Sequence, residues 1–184
     1  MTGAPPIQSV RRGGFTLIEL VSTIAVLAAL ATVASGIVFA ATDGYLQAST
    51  SAQLHTELSI ALDRAVRELR NVAIDGDAGA VAPDIDSVTA DSIAWSDDNS
   101  LVLSGSDLLL TIDGGAPAVL LSDVTSFAVR AYDEDNSAMV QALTGGQCDA
   151  IRRLSIAISI QRYGISETLR SKVFLRSTMQ GSEE

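Results

Sequence analysis

From Leu20 to Thr42 the chain runs 23 residues without a formal charge and without a proline. That is enough for an α-helix to cross the hydrocarbon core of a bilayer. A segment apolar on every side needs an apolar medium around it, and the rest of the fold has to accommodate that demand. Its flanks are just as specific. Arg11-Arg12-Gly13-Gly14 forms a short basic leader ending in two glycines, Phe15 opens the apolar run, and Glu19 is a lone carboxylate at its head. An acid in that place is costly unless it is paired, neutralised or brought to an interface, so Glu19 is a candidate functional residue on physical grounds alone. Arg11 and Arg12 keep the leader on the cytoplasmic side and put everything after Thr42 outside.

Residues 11 to 31 resemble the N-terminus of type IV prepilins and type II secretion pseudopilins. Gly14, Phe15 and Glu19 stand where that family has its last leader residue, its first mature residue and its carboxylate. The resemblance implies cleavage between Gly14 and Phe15 by a dedicated prepilin peptidase, followed by N-methylation of Phe15. It implies an assembly role for Glu19, which meets the Phe15 amine of a neighbouring subunit in the filament core. An ordinary secretory signal is cut after its apolar region and the helix is lost, whereas here the helix is retained. The partners implied are other pilins or pseudopilins, met through the N-terminal helix, the prepilin peptidase, and an assembly platform in the bacterial inner membrane. The location implied is that membrane, single-pass with the head outside the cytoplasm, and then a periplasmic pseudopilus or surface pilus.

Removing the leader takes away two arginines and no acid, so a formal charge of -10 becomes -12. A head this acidic is expected to present no basic patch for phosphate backbones, and no direct nucleic-acid partner is expected. Lys172 is the sole lysine. Cys148 is the sole cysteine, which excludes an intramolecular disulfide and reads as an inert thiol in a loop. Many type IV pilins close a C-terminal loop with a disulfide, and the departure favours a minor or secretion-type subunit.

Past the apolar run and a polar stretch from Asp43 to Ser51, Leu54, Leu58, Ala61, Leu62, Ala65, Leu69 and Val72 recur at helical spacing, with Arg64, Arg67, Glu68 and Arg70 on the other face. Gly36 and Gly44 are weak points of about 1 kcal/mol each against alanine, or small residues that permit close helix packing. Asp75 to Asp91 reads as a loop. Strands are expected at Ser92–Trp95, Leu101–Ser104, Leu108–Ile112, Ala118–Leu121, Thr125–Tyr132, around Leu154–Ile160, and at Thr168–Arg176 after a turn at Tyr163-Gly164. The order gives an α+β fold: a long N-terminal helix, transmembrane in its first half, packed on an antiparallel β-sheet head, pilin-like. The expected divisions are 1–14 as leader, 15–42 as transmembrane and filament-core helix, 43–73 as periplasmic amphipathic helix, and 74–184 as β head with a short tail from Gln180 to Glu184. The strand ending Ala131-Tyr132-Asp133, the Ile151-Arg152-Arg153-Leu154 strand opening and the ending Val173-Phe174-Leu175-Arg176 resemble J-type minor pseudopilins.

Chemistry beyond processing finds little support. Asp133, Asp135 and Asn136, or Asp75 and Asp77, suggest calcium, but no bidentate Glu completes a loop and turns favour the same residues. His55 is the sole histidine and is expected on the polar face of the helix; its His-Thr-Glu context lacks the two-cysteine partner of a zinc deaminase. No nucleophile elbow, phosphate loop or dinucleotide fingerprint occurs. Trp95 and Phe127 read as core. No catalytic residue, metal or cofactor is assigned and the chain is not expected to be an enzyme. The function that follows is a structural minor subunit of a type II secretion pseudopilus or type IV pilus, helping to initiate or cap assembly. The alternative is a pilus-tip binding module for adhesion, a secreted substrate or DNA uptake, although neither exposed aromatics nor a basic groove is evident in the sequence. A peptidase reading an extended chain needs a small residue at the scissile position, so Gly14→Leu is expected to block leader removal. Mass spectrometry of the mature N-terminus checks this, and normal processing of the variant would place the cut elsewhere.

Overall fold

A computed structural model describes residues 14, 16–75, 82–96 and 98–175 of the chain. The leader up to Gly13, Phe15, Asp77, Arg176 and the Gln180–Glu184 tail lie outside the described residues. The chain divides into two compact units between Leu46 and Gln47.

One helix, α1, spans Leu17–Arg70. Thr16 precedes it as the start, and the basic Arg67 and Arg70 close it where the helix dipole favours cations. Asn71 ends it with an N–H donated three residues back to the Glu68 carbonyl at 3.0 Å. The helix continues from the apolar run through the polar 43–51 stretch into the amphipathic segment, as expected, because that stretch holds no proline and only one glycine, and it also runs through Gly36 and Gly44.

In the first unit the helix is bare. Its apolar window is long and hydrophobic enough to cross a membrane and none of it is buried by the rest of the protein. Leu17 and Phe39 bound the exposed apolar run at 81% and 70% exposure. All five hydroxyls between Leu20 and Thr42 turn back onto the helix. Ser22 donates to the Ile18 carbonyl at 2.7 Å, Thr23 to Leu20 at 2.8 Å, Thr32 to Ala28 at 2.6 Å, Ser35 to Thr32 at 2.9 Å and Thr42 to Val38 at 2.8 Å. An unsatisfied hydroxyl in hydrocarbon costs several kcal/mol, so this surface is prepared for a medium without water.

In the second unit the same helix buries one stripe: Leu54, Leu58, Ala61, Leu62, Ala65, Val66 and Leu69. Their partners come from two antiparallel sheets, which among the described residues hold nine strands. β1 is Ile85–Val88, β2 Ser92–Trp95, β3 Asn99–Ser104, β4 Asp107–Thr111, β5 Ala118–Leu121, β6 Val124–Tyr132, β7 Leu143–Thr144, β8 Arg153–Arg162 and β9 Ile165–Phe174. Six strands lie in the order β5-β4-β3-β2-β1-β7 and three in the order β6-β8-β9. Backbone bonds tie the sheets together, from Val124 N–H to the Ser106 carbonyl at 2.9 Å and from Val129 N–H to the Ala90 carbonyl at 3.1 Å. The layout is α+β and pilin-like, as expected.

The small sheet has the clearest register. Phe127, Ile158 and Leu169 align across it, as do Ala131, Leu154 and Val173, and these inward positions join the helix stripe in one core with Trp95. β8 and β9 meet through Tyr163 and Gly164, both at positive φ, the two-residue turn that matches strand twist.

Three expectations are corrected. The 75–91 loop contains β1, a strand too short and too bulged between Ile85 and Ser87 for alternation to mark it. The last strand runs Ile165–Phe174 rather than Thr168–Arg176, because pairing with β8 begins directly at the turn. Cys148 lies in a 3-10 helix, Gly145–Ala150, that follows β7, and not in an open loop.

Removing the Leu58 or Ile156 side chain from this core should cost about 2–5 kcal/mol as alanine, against about 0.5 kcal/mol or less for exposed Ile60→Ala. Urea unfolding of the detergent-solubilised chain, followed by the fluorescence of the sole and buried Trp95, measures the difference.

Candidate assembly site and the charged faces of the head

Glu19 is the third residue of α1 and sits in a capping arrangement with Thr16. Its carboxylate accepts from the Thr16 N–H and hydroxyl at 3.4 Å each, and the Thr16 hydroxyl accepts from the Glu19 N–H at 3.4 Å. These are long bonds, but the pattern is the reciprocal one that satisfies free donors at a helix start. A negative charge there also opposes the positive end of the helix dipole. Gly14 and Thr16 are both exposed beside it. The carboxylate therefore stands at the edge of a bare apolar surface, held locally and open to a cation brought by another molecule. A shallow groove along the helix, lined by Glu19, Ser22, Thr23 and Leu27 among others, continues from it. Phe15, whose amine the resemblance pairs with Glu19, lies outside the described residues.

The helix is fastened within the second unit by charge as well as by its stripe. Arg162, at the end of β8, reaches Glu57 at 3.2 Å and Asp123 at 2.8 Å. The hydrogen bonds its guanidinium donates to Glu57 and then Asp123 hold it above its ordinary pKa. Ser51 donates to Glu167 of β9 at 2.5 Å. The Arg162 pairs are largely exposed, so each contributes at most about 1 kcal/mol and serves alignment more than stability.

The remaining candidates settle into structural roles. Asp133 accepts the Ser137 N–H at 2.8 Å and Asn136 stands at φ 63, so both work as turn residues. Asn136 also accepts from Arg153 at 2.7 Å. Trp95 and Phe127 are core, and His55 is exposed on the helix. Cys148 is fully buried. Burial first, then the nearby charges of Asp149 and Asp86, raise its pKa from 9.0 to about 11.

One grouping was invisible in the sequence. Arg130, Arg153, Arg170 and Lys172 all stand on the outer face of the small sheet, with Tyr132 and Phe174 among them. The expectation of a head without a basic patch is corrected by this face. These residues are scattered over more than forty positions, and only the β6-β8-β9 register brings them together. The alternation of each strand was readable; which strand paired with which was not.

The long bare helix, its single capped carboxylate and the two-sheet head define a pilin-like protein. Residues 10–35 match the family described as the prokaryotic N-terminal methylation motif, a stretch that contains Gly14, Phe15 and Glu19. That match supports a pilin or pseudopilin subunit that a prepilin peptidase processes and that assembles with others of its kind. No curated protein matches the chain significantly.

The Cys148 thiol is expected to resist maleimide in the native chain at pH 8 and to react at once in urea. Because its folded pKa lies above the unfolded one, its share of stability is intact below pH 9 and is lost as pH rises from there through about 11. Labelling with and without denaturant, and unfolding midpoints across that window, check both statements.

Proposed function

We propose that this chain is a structural minor subunit of a type II secretion pseudopilus or a type IV pilus, helping to initiate or cap a filament. The observation that carries the reading is the apolar helix start, unburied over its whole membrane-length window and bearing one carboxylate at its head. In the bilayer lipid covers that surface. In a filament the equivalent helices of neighbouring subunits do, and Glu19 is then neutralised by the Phe15 amine that cleavage after Gly14 creates. Transfer between these two apolar media costs little once the charge is paired. The head stays outside the cytoplasm. The chain's own chemistry is limited to being cut and methylated at Phe15, with no catalytic role, and the energy for assembly comes from a separate motor. The J-type minor class is favoured by the resemblance over β6, β8 and β9, and the lone cysteine favours a minor or secretion-type subunit. A second reading, a binding head at a filament tip, draws on the cationic face of the small sheet.

Glu19→Ala should leave cleavage intact and reduce incorporation into sheared filaments or detergent-resistant assemblies severalfold. Immunoblots of processing and of the assembled fraction separate the two steps. Wild-type incorporation of the variant would remove the pairing role.

A further inference from the structure

The outer face of the small sheet is built in rows. Arg130, Ser155 and Lys172 align across β6, β8 and β9; Ala128, Ala157 and Arg170 form the row on one side, and Tyr132, Arg153 and Phe174 the row on the other. Small side chains on the central strand between long cations on its flanks leave a trough of about 330 Å³. Arg153 lies over the Phe174 ring at 5.3 Å and Lys172 over the Tyr132 ring at 5.5 Å, so aromatic faces hold these two cations. Among the described residues none of the four cations is in an ion pair; those found involve Arg64 and Arg162. Cations on edge strands commonly keep sheets from pairing edge to edge, and that accounts for Arg130, Arg170 and Lys172 taken singly. It does not account for Arg153 on the central strand, nor for the gathering of a third of all Lys and Arg on one face of a chain with charge -10.

The opposite sign is carried elsewhere in the same unit. Residues 71–129, which supply β1 to β5 and the start of β6, contain ten Asp and no Lys or Arg, and one of the ten, Asp123, is paired with Arg162. Asp86, Asp91, Asp98 and Asp113 of this stretch are exposed. Asp98 and Asp113 sit in adjoining turns, where the Asn99 side chain accepts the Asp113 N–H at 2.8 Å.

We propose that the cationic outer face of β6-β8-β9 docks against the acid-bearing six-stranded sheet of a second copy of this chain. The proposal rests on the filament reading above. Subunits whose helices run parallel in a filament are not related by two-fold axes, so each contact joins one surface to a different one on the neighbour. A chain that contacts its own kind in this way has to carry both halves of the complement, and the two sheets carry them. The cations set orientation and register of the neighbouring head more than they add affinity, and salt weakens the contact. The ten-Asp stretch on the same unit repels a nucleic acid, which makes a protein acid surface the better occupant. At least two copies per filament are required.

Lys172 is the sole lysine, so a carbodiimide, which joins an amine to a carboxylate with no spacer, reads this face at one position. Two differently tagged full-length forms are coexpressed, one with Lys172→Arg and intact acids, the other with Lys172 kept and Asp86, Asp91, Asp98 and Asp113 each changed to Asn, and cell envelopes are crosslinked at low and at high salt. Peptides joining Lys172 of one form to Asp86, Asp91, Asp98 or Asp113 of the other are expected. Their yield should fall severalfold at high salt and in Arg130→Glu with Arg170→Glu, and less in the milder pair Arg130→Gln with Arg170→Gln. If the tagged forms co-purify while Lys172 stays unlinked, or links only to another protein, the docking inference is overturned and the filament reading stands. If a single-stranded oligodeoxynucleotide binds the face and suppresses the crosslink, the occupant is nucleic acid and the inference is likewise overturned. An uncleaved leader with no co-purification overturns the filament reading and the docking inference together.

Discussion

Everything in this structure depends on one helix having to satisfy two kinds of apolar surroundings. Up to Leu46 its apolar side chains are uncovered on all sides, and from Leu54 onward a single stripe is enclosed by sheets. The two halves solve different problems. The first closes the five hydroxyls between Leu20 and Thr42 onto its own backbone, since lipid and packed helices offer no hydrogen bonds. The second keeps Arg64, Arg67 and Arg70 facing water and contributes seven buried side chains to the core. A head folded around part of such a helix cannot be detached from the helix without losing its own interior.

The helix and its two characters were legible in the sequence because both are written in local spacing. The all-round apolar run gives one, and the Leu54–Leu69 periodicity gives the other. Only Val66 escaped that list, as a second residue beside Ala65 on the same side of the turn. Most strands were legible by alternation, β8 most plainly, since Leu154, Ile156, Ile158 and Ile160 lie on one face over an uninterrupted pairing. β1 and β7 were not, because strands of four and two residues carry too little pattern to stand out from a loop. The division into two sheets was not legible either. It is decided by long-range pairing, β1 with β7 and β6 with β8, which leaves no mark in any one segment.

The site divides the same way. Gly14, Phe15 and Glu19 fall within six consecutive positions, so their spacing is a complete message. Thr16 was not singled out, although a Thr three residues before a Glu at the head of an apolar run is the sequence form of a capping box. The cationic face required three strands in register before it existed at all. Net charge concealed it, because an average over the chain erases a separation of signs between its two sheets.

The solitary, enclosed Cys148 has a consequence for how the head matures. A head stapled by a disulfide reaches full stability only after an oxidant has acted on it, so its readiness is tied to the redox machinery of the compartment. Here no disulfide within the head remains to be formed once the chain has folded. The interior around Leu54, Trp95 and Ile156 is the main source of stability, and it acts equally in reducing and oxidising media. Folding of the head is thereby independent of the redox poise around it, and needs no thiol oxidase to complete it.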